Sequence, residues 1–163
     1  ACHMTWNDQQ LNNDEGMFLE LAGAYARYHC PCSRTLFLGN PPQKYLDIEK
    51  VISECIENAI SMFKPGNSCA EISDNFTATL KKYGYEKNNR CGYPIGLSYP
   101  PDWGERTMSL RGNDQTILQE NMTFHFMPAI WFDDWGFEMT ESIRVGENGG
   151  ECLSKVPRQL LVK

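Results

Sequence analysis

The chain has 163 residues, 41% hydrophobic, 12% aromatic and 22% charged, with a formal net charge of −6. That length suits one domain with a sizeable core, since a domain near this size hides roughly 70% of the surface its unfolded chain exposes. The acidic balance argues against a nucleic-acid partner. No window approaches the ~20 apolar residues of a membrane span, which argues against a membrane partner, and the opening ACHMTWNDQQ lacks the charged-then-apolar run of a secretory signal.

In chain order, residues 17–27 (MFLELAGAYAR) and 28–38 (YHCPCSRTLFL) read as two strands of a hairpin, closed by Gly39-Asn40-Pro41-Pro42. Tyr45, Ile48, Ile52, Cys55, Ile56, Ala59 and Phe63 then recur at helical spacing until Pro65-Gly66. A second helix starts at Ser68, where Glu71 completes a capping box. Ile72, Phe76, Leu80 and Tyr83 form its buried stripe, and Gly84 stands at the C-terminal cap. Beyond it, 122–130 (MTFHFMPAI) and 136–145 (GFEMTESIRV) alternate as strands around a Trp-Asp-rich connection, and ECLSKVPRQLLVK closes with two short extended pieces. A strand pair, a helix pair and a strand series predict an α+β fold with an antiparallel sheet. The chain enters its hairpin with no element before it, which suggests part of something longer.

Seven cysteines, an odd number with irregular spacing and no CxxC pair, read as reduced cytosolic thiols, mostly small core residues. Cys30-Pro31-Cys32 is too tight for a zinc knuckle. No phosphate loop, nucleophile elbow or HExxH is present.

Chemistry must therefore come from few residues. The histidines are His3, His29 and His125. Alternation puts Thr123, His125 and Met127 on one face of 122–130, with Phe124 and Phe126 on the core face. Glu138 and Thr140 join the polar side, opposite Phe137 and Met139. Glu141 falls on the apolar face, so either a bulge redirects it or it is a buried, paired carboxylate. A face that is simply wet is the plainer alternative. The stretch RCGYPIGLSYPPDWGE (90–105) combines turn residues with Tyr93, Tyr99 and Trp103, and reads as a bent loop that lines a pocket.

The run FLELAGAYARYHCPCSRTLFLG, together with GYPIG, MTFHFMPAI and GFEMTESIRV, resembles the creatinase/aminopeptidase P/methionine aminopeptidase family, peptidase family M24, in order and nearly end to end. The resemblance implies the pita-bread fold, and it implies that residues 1–163 are the C-terminal part of a catalytic domain. The metal-ligand positions of the metal-dependent members fall on Glu20, Pro31, Tyr93, Met127 and Thr140. Only Glu20 is a carboxylate there, so the expectation is a site with no metal and no cofactor, as in creatinase itself.

Within the family the strings His3-Met-Thr-Trp6, Arg27 to Pro31, Gly92 to Glu105 and Pro157-Arg158-Gln-Leu160 resemble the ectoine hydrolases. That likeness implies hydrolysis of a C–N bond in a small cyclic amidine, ectoine to an acetylated diaminobutyrate, by a cytoplasmic homodimer. The other readings are an Xaa-Pro dipeptidase, which the missing ligands oppose, and a non-catalytic pita-bread binding module. The resemblance makes His3 the acid/base, with Glu138 or Glu141 sharing its proton and His125 positioning the substrate. Tyr93, His29, Glu20, Tyr99 and Trp103 would bind it, the aromatic rings serving as a wall for the cation.

Overall fold

Residues 15–38 form the hairpin that their pattern predicts. In the computed structural model, which describes residues 8–99 and 102–163, β1 (Glu15–Tyr25) pairs antiparallel with β2 (Tyr28–Leu38) along its full length. The turn is two residues long. Ala26 and Arg27 both take positive φ, +47° and +69°, the pair of left-handed conformations whose twist matches that of the flanking strands.

Helix α1 (Gln43–Ile60) buries Ile48, Ile52, Cys55, Ile56 and Ala59, the stripe read from its spacing. Helix α2 (Cys69–Lys82) opens with the expected box: Ser68 Oγ accepts from Glu71 N–H, and Ser68 N–H donates to Glu71 Oε2 at 2.6 Å. It closes on Gly84, whose φ of +77° lets Tyr85 N–H reach the Leu80 carbonyl.

Strands β3 (Gly92–Pro94), β4 (Thr123–Phe126), β5 (Ala129–Trp131), β6 (Gly136–Glu138), β7 (Glu141–Gly146), β8 (Gly149–Cys152) and β9 (Leu161–Val162) follow. They make a sheet in the order β3-β4-β7-β8, a hairpin β5-β6, and a third strand, β9, beside β2. The β9 pairing is parallel, so the sheet system is mixed where an antiparallel one was expected. The core lies where the helices meet the four-stranded sheet. Phe63 of the α1–α2 connection packs its ring 5.8 Å from Phe124 and 5.6 Å from Phe126, and Phe76 of α2 packs 5.8 Å from Phe126.

The two strands expected over 122–130 and 136–145 each break in the middle, at Met127-Pro128 and at Met139-Thr140. Pro128 has no N–H to give a ladder. On the partner run Met139 bridges to Arg34 of β2, and Thr140 N–H donates to Ser33 O at 3.1 Å. Both chains thus leave the four-stranded sheet at the same level and re-pair as the β5–β6 hairpin, which opens a space beside β1.

Among the described residues no helix is long and apolar enough to cross a membrane. The described cysteines are free thiols. Cys55, Cys69 and Cys91 are core residues, and burial pushes Cys55 and Cys91 up to about 12, which makes them unreactive.

Candidate active site

The space beside β1 is a cavity of about 610 Å³. Glu20 of β1, Tyr93 of β3, Met127 at the β4–β5 break and Glu138 of β6 line it, and Trp103 closes one side. Trp103 arrives because the loop after β3 folds back, with Ile95 bridged to Gly104. Trp103 Nε1–H then donates to Tyr93 Oη at 2.9 Å. Gly104 sits tightly against the tyrosine, and a Cβ there would lie 2.9 Å from the ring.

Four carboxylates line this cavity, Glu20, Asp102, Glu105 and Glu138. Burial, and then the charge of Glu20, raise the Glu138 carboxyl to about 7. Burial also pushes the Tyr93 phenol up to about 12. Basic side chains stand in the same lining. Lys87, Arg90, Arg106 and Arg111 line the cavity, and Arg90 lies over the Tyr93 ring at 4.4 Å. Arg106 is tied to Asp102 at 3.4 Å.

Behind Tyr93 is His125, fully buried. Its Nδ1 lies 2.9 Å from Tyr93 Oη and its Nε2 2.7 Å from Thr140 Oγ1. Thr140 Oγ1 also accepts from Ser33 N–H at 2.8 Å. Glu20 Oε1 is 3.9 Å from His125 Nδ1.

Of the residues expected at the site, Glu20, Tyr93, Trp103 and Glu138 meet at the cavity, and His125 stands directly behind it, reaching it through Tyr93. The remainder are placed elsewhere. Glu141 is bound by Arg34 at 2.5 Å in the interior, the paired-carboxylate alternative rather than the catalytic one. His29 bonds through Nδ1 to Arg27 O within the hairpin turn. Tyr99 is 68% exposed and takes Arg27 as its partner. His3 lies outside the described residues. Sequence reasoning missed Lys87, Arg90, Arg111 and the role of Arg34. Lys87 and Arg111 lie in connections with no spacing rule, whereas Arg90 opens the 90–105 stretch and Arg34 lies inside the hairpin string.

A family model for metallopeptidases matches residues 1–148. The chain belongs to metallopeptidase family M24. This M24 chain is 54% identical over 164 aligned residues to the ectoine hydrolase of Halomonas elongata, covering 100% of the chain and 41% of that protein. It is 25% identical to the Xaa-Pro dipeptidase of Pyrococcus furiosus, over 98% of the chain and 45% of the dipeptidase. The X-Pro aminopeptidase of Thermotoga maritima superimposes with a TM-score of 0.88 at 21% identity, covering 99% of the chain and 45% of that structure, which establishes the pita-bread fold. The chain spans about two-fifths of the length of the curated relatives it matches.

Many members of the family's metal-dependent branch hold two ions, and the residues here do not fit such a pair. Pro31 has no side-chain donor and Met127 offers a thioether. Tyr93 Oη and Thr140 Oγ1 are already bonded to Trp103, His125 and Ser33. Glu20 is the one carboxylate among these positions. Among the described residues no group of three His, Cys, Asp or Glu is placed to hold a metal. A pair of hard divalent ions needs several anionic oxygens.

Proposed function

We propose that this M24 chain carries the site of a hydrolase that opens a small cyclic amidine at a C–N bond, as ectoine hydrolase does, without a bound metal. The observation that carries the reading is that Glu20 and Glu138 share an aromatic-walled cavity with basic side chains. A cyclic amidinium acid such as ectoine has the complementary charges. Its delocalised cation suits Glu20 and the Trp103 face, and its carboxylate suits Arg90 and Lys87. The 54% identity to ectoine hydrolase supports the same reading.

Water adds its oxygen to the amidine carbon and gives up a proton. The ring C–N bond then breaks, its electron pair leaves with the nitrogen, and that nitrogen takes a proton. A carboxyl held near pH 7 can serve both transfers. Glu138 is such a group, and we assign it this role with His3 as its partner. The resemblance also supports a cytoplasmic homodimer, and the acidic, thiol-rich composition is compatible with that setting.

Incubating the protein with ectoine and following acetyl-diaminobutyrate by NMR tests the proposal. Product formation is expected. A thermal shift with proline-containing dipeptides and none with ectoine would overturn it in favour of a peptidase-like site.

A further inference from the structure

Two positions at which the metal-dependent pattern places ligands, Tyr93 and Thr140, are joined in this chain by His125, and the direction of the hydrogen bonds between them can be worked out. Thr140 Oγ1 has one hydrogen to give and two lone pairs. Ser33 N–H occupies one lone pair at 2.8 Å. Among the described residues, its hydroxyl hydrogen has one acceptor in reach, His125 Nε2 at 2.7 Å. If Nε2 carried the proton instead, the Thr140 hydrogen would be stranded at a residue with no solvent exposure, a costly arrangement for a buried hydroxyl. Nε2 therefore accepts, and the neutral ring carries its proton on Nδ1.

That proton points at Tyr93 Oη, 2.9 Å away. Trp103 Nε1–H reaches the same oxygen at 2.9 Å. With two donors arriving, the phenol oxygen is left only its own hydrogen to offer, and Tyr93 lines the cavity. We infer that Thr140 fixes His125 as its Nδ1–H tautomer so that Tyr93 directs its O–H into the cavity it shares with Glu20, as an obligatory donor to a bound substrate.

The consequence for the reaction rests on the cyclic-amidine reading above. The nitrogens of an amidinium have no lone pair to accept a hydrogen bond. Once water has added to the amidine carbon, the nitrogen becomes an amine with a free pair. A fixed O–H donor at that point favours the adduct over the bound substrate, which is the differential binding that lowers a barrier. Tyr93 is then a catalytic residue, and His125 and Thr140 are positioning residues.

The test is the tautomer of His125 in the full chain, read from ¹⁵N shifts of histidine-labelled protein, with the signal assigned by loss in H125N. An Nδ1–H ring is expected in the wild type. T140V should lose that pure signature and T140S should keep it. For ectoine, Y93F and T140V should cut kcat at least tenfold with little change in KM, and T140S should restore it. An Nε2–H or doubly protonated ring in the wild type overturns the inference, even if ectoine is opened. So does an unchanged Nδ1–H signature in T140V. If T140V does not fold, the wild-type spectrum decides alone. An Nδ1–H ring in a protein that leaves ectoine intact supports the hydrogen-bond assignment and removes the cyclic-amidine reading.

Discussion

Arg34 and Glu141 form an ion pair 2.5 Å long in the interior, with 4% and 1% of their side chains exposed. The guanidinium uses all five of its N–H donors: the others reach the carbonyls of Ser33, Thr140, Val156 and Pro157. It thereby joins β2, the β6–β7 break and the C-terminal segment at one point. Glu141 supplies the countercharge that makes this burial tolerable.

Removing that countercharge leaves a buried cation with carbonyl acceptors but no anion beside it. E141Q is expected to cost about 3 kcal/mol of stability, measured by urea unfolding. The double variant R34M/E141L should recover most of that loss, because a well-packed apolar pair avoids the desolvation of both charges. An E141Q protein of unchanged stability that had lost turnover would return Glu141 to a role in proton transfer.

Glu138 gives a pH signature of opposite sign to that of an ordinary carboxylate. Its folded-state value of about 7 lies above the 4.5 of the free group, so the folded protein binds the extra proton between those values. Stability from this group is therefore complete at low pH and falls as pH rises from about 4.5 to about 7, with a slope of at most about 1.4 kcal/mol per unit. E138Q should abolish this fall. The stability difference between E138Q and wild type, measured by urea unfolding at pH 5 and pH 8, should shift in favour of the variant at pH 8. E20Q should lower the pH at which Glu138 titrates, since the Glu20 charge is the second cause of its shift.

The local elements were legible because their causes are local. Period, capping box and Gly84 fix the helices, and the two apolar runs fix the hairpin. The strand breaks were not, since Pro128 sits inside a run that alternates well on either side, and only pairing with β2 tells Met139-Thr140 to turn. At the site, Tyr93 and Trp103 belong to one bend and were found together. Tyr99 was misplaced because alternation says nothing about a loop that doubles back through the Ile95–Gly104 bridge. The fate of Glu141 depended on a partner 107 residues away, a distance at which spacing carries no information.

The hairpin turn invites a stabilising change. Ala26 pays for a left-handed backbone, φ +47°, which costs an ordinary L-residue roughly 1–2 kcal/mol. Asparagine tolerates that region better and is the preferred first residue of such a turn. A26N should raise stability by about 0.5–1 kcal/mol in thermal or urea unfolding, with the site untouched. An A26N protein less stable than wild type would show that Ala26 is held by contacts other than the turn itself.

The donor set makes a prediction about metal. Proline, methionine, and a tyrosine and a threonine with their oxygens already engaged leave Glu20 as the single anionic ligand at the family's metal positions, and one carboxylate cannot balance two divalent ions. Dialysis against a strong chelator should leave ectoine opening and the unfolding midpoint unchanged. Added Mn²⁺, Co²⁺ or Zn²⁺ should give no saturable rise in that midpoint, because a ligand that binds only the folded state raises stability in proportion to the logarithm of its concentration over Kd. Restoring ligands tests the same argument from the other side. Y93H together with M127E and T140E puts an imidazole and two carboxylates beside Glu20, and this variant should gain a metal-dependent rise in midpoint. A chelator-sensitive wild type, with activity returned by metal, would show that the chain draws ligands from residues other than these.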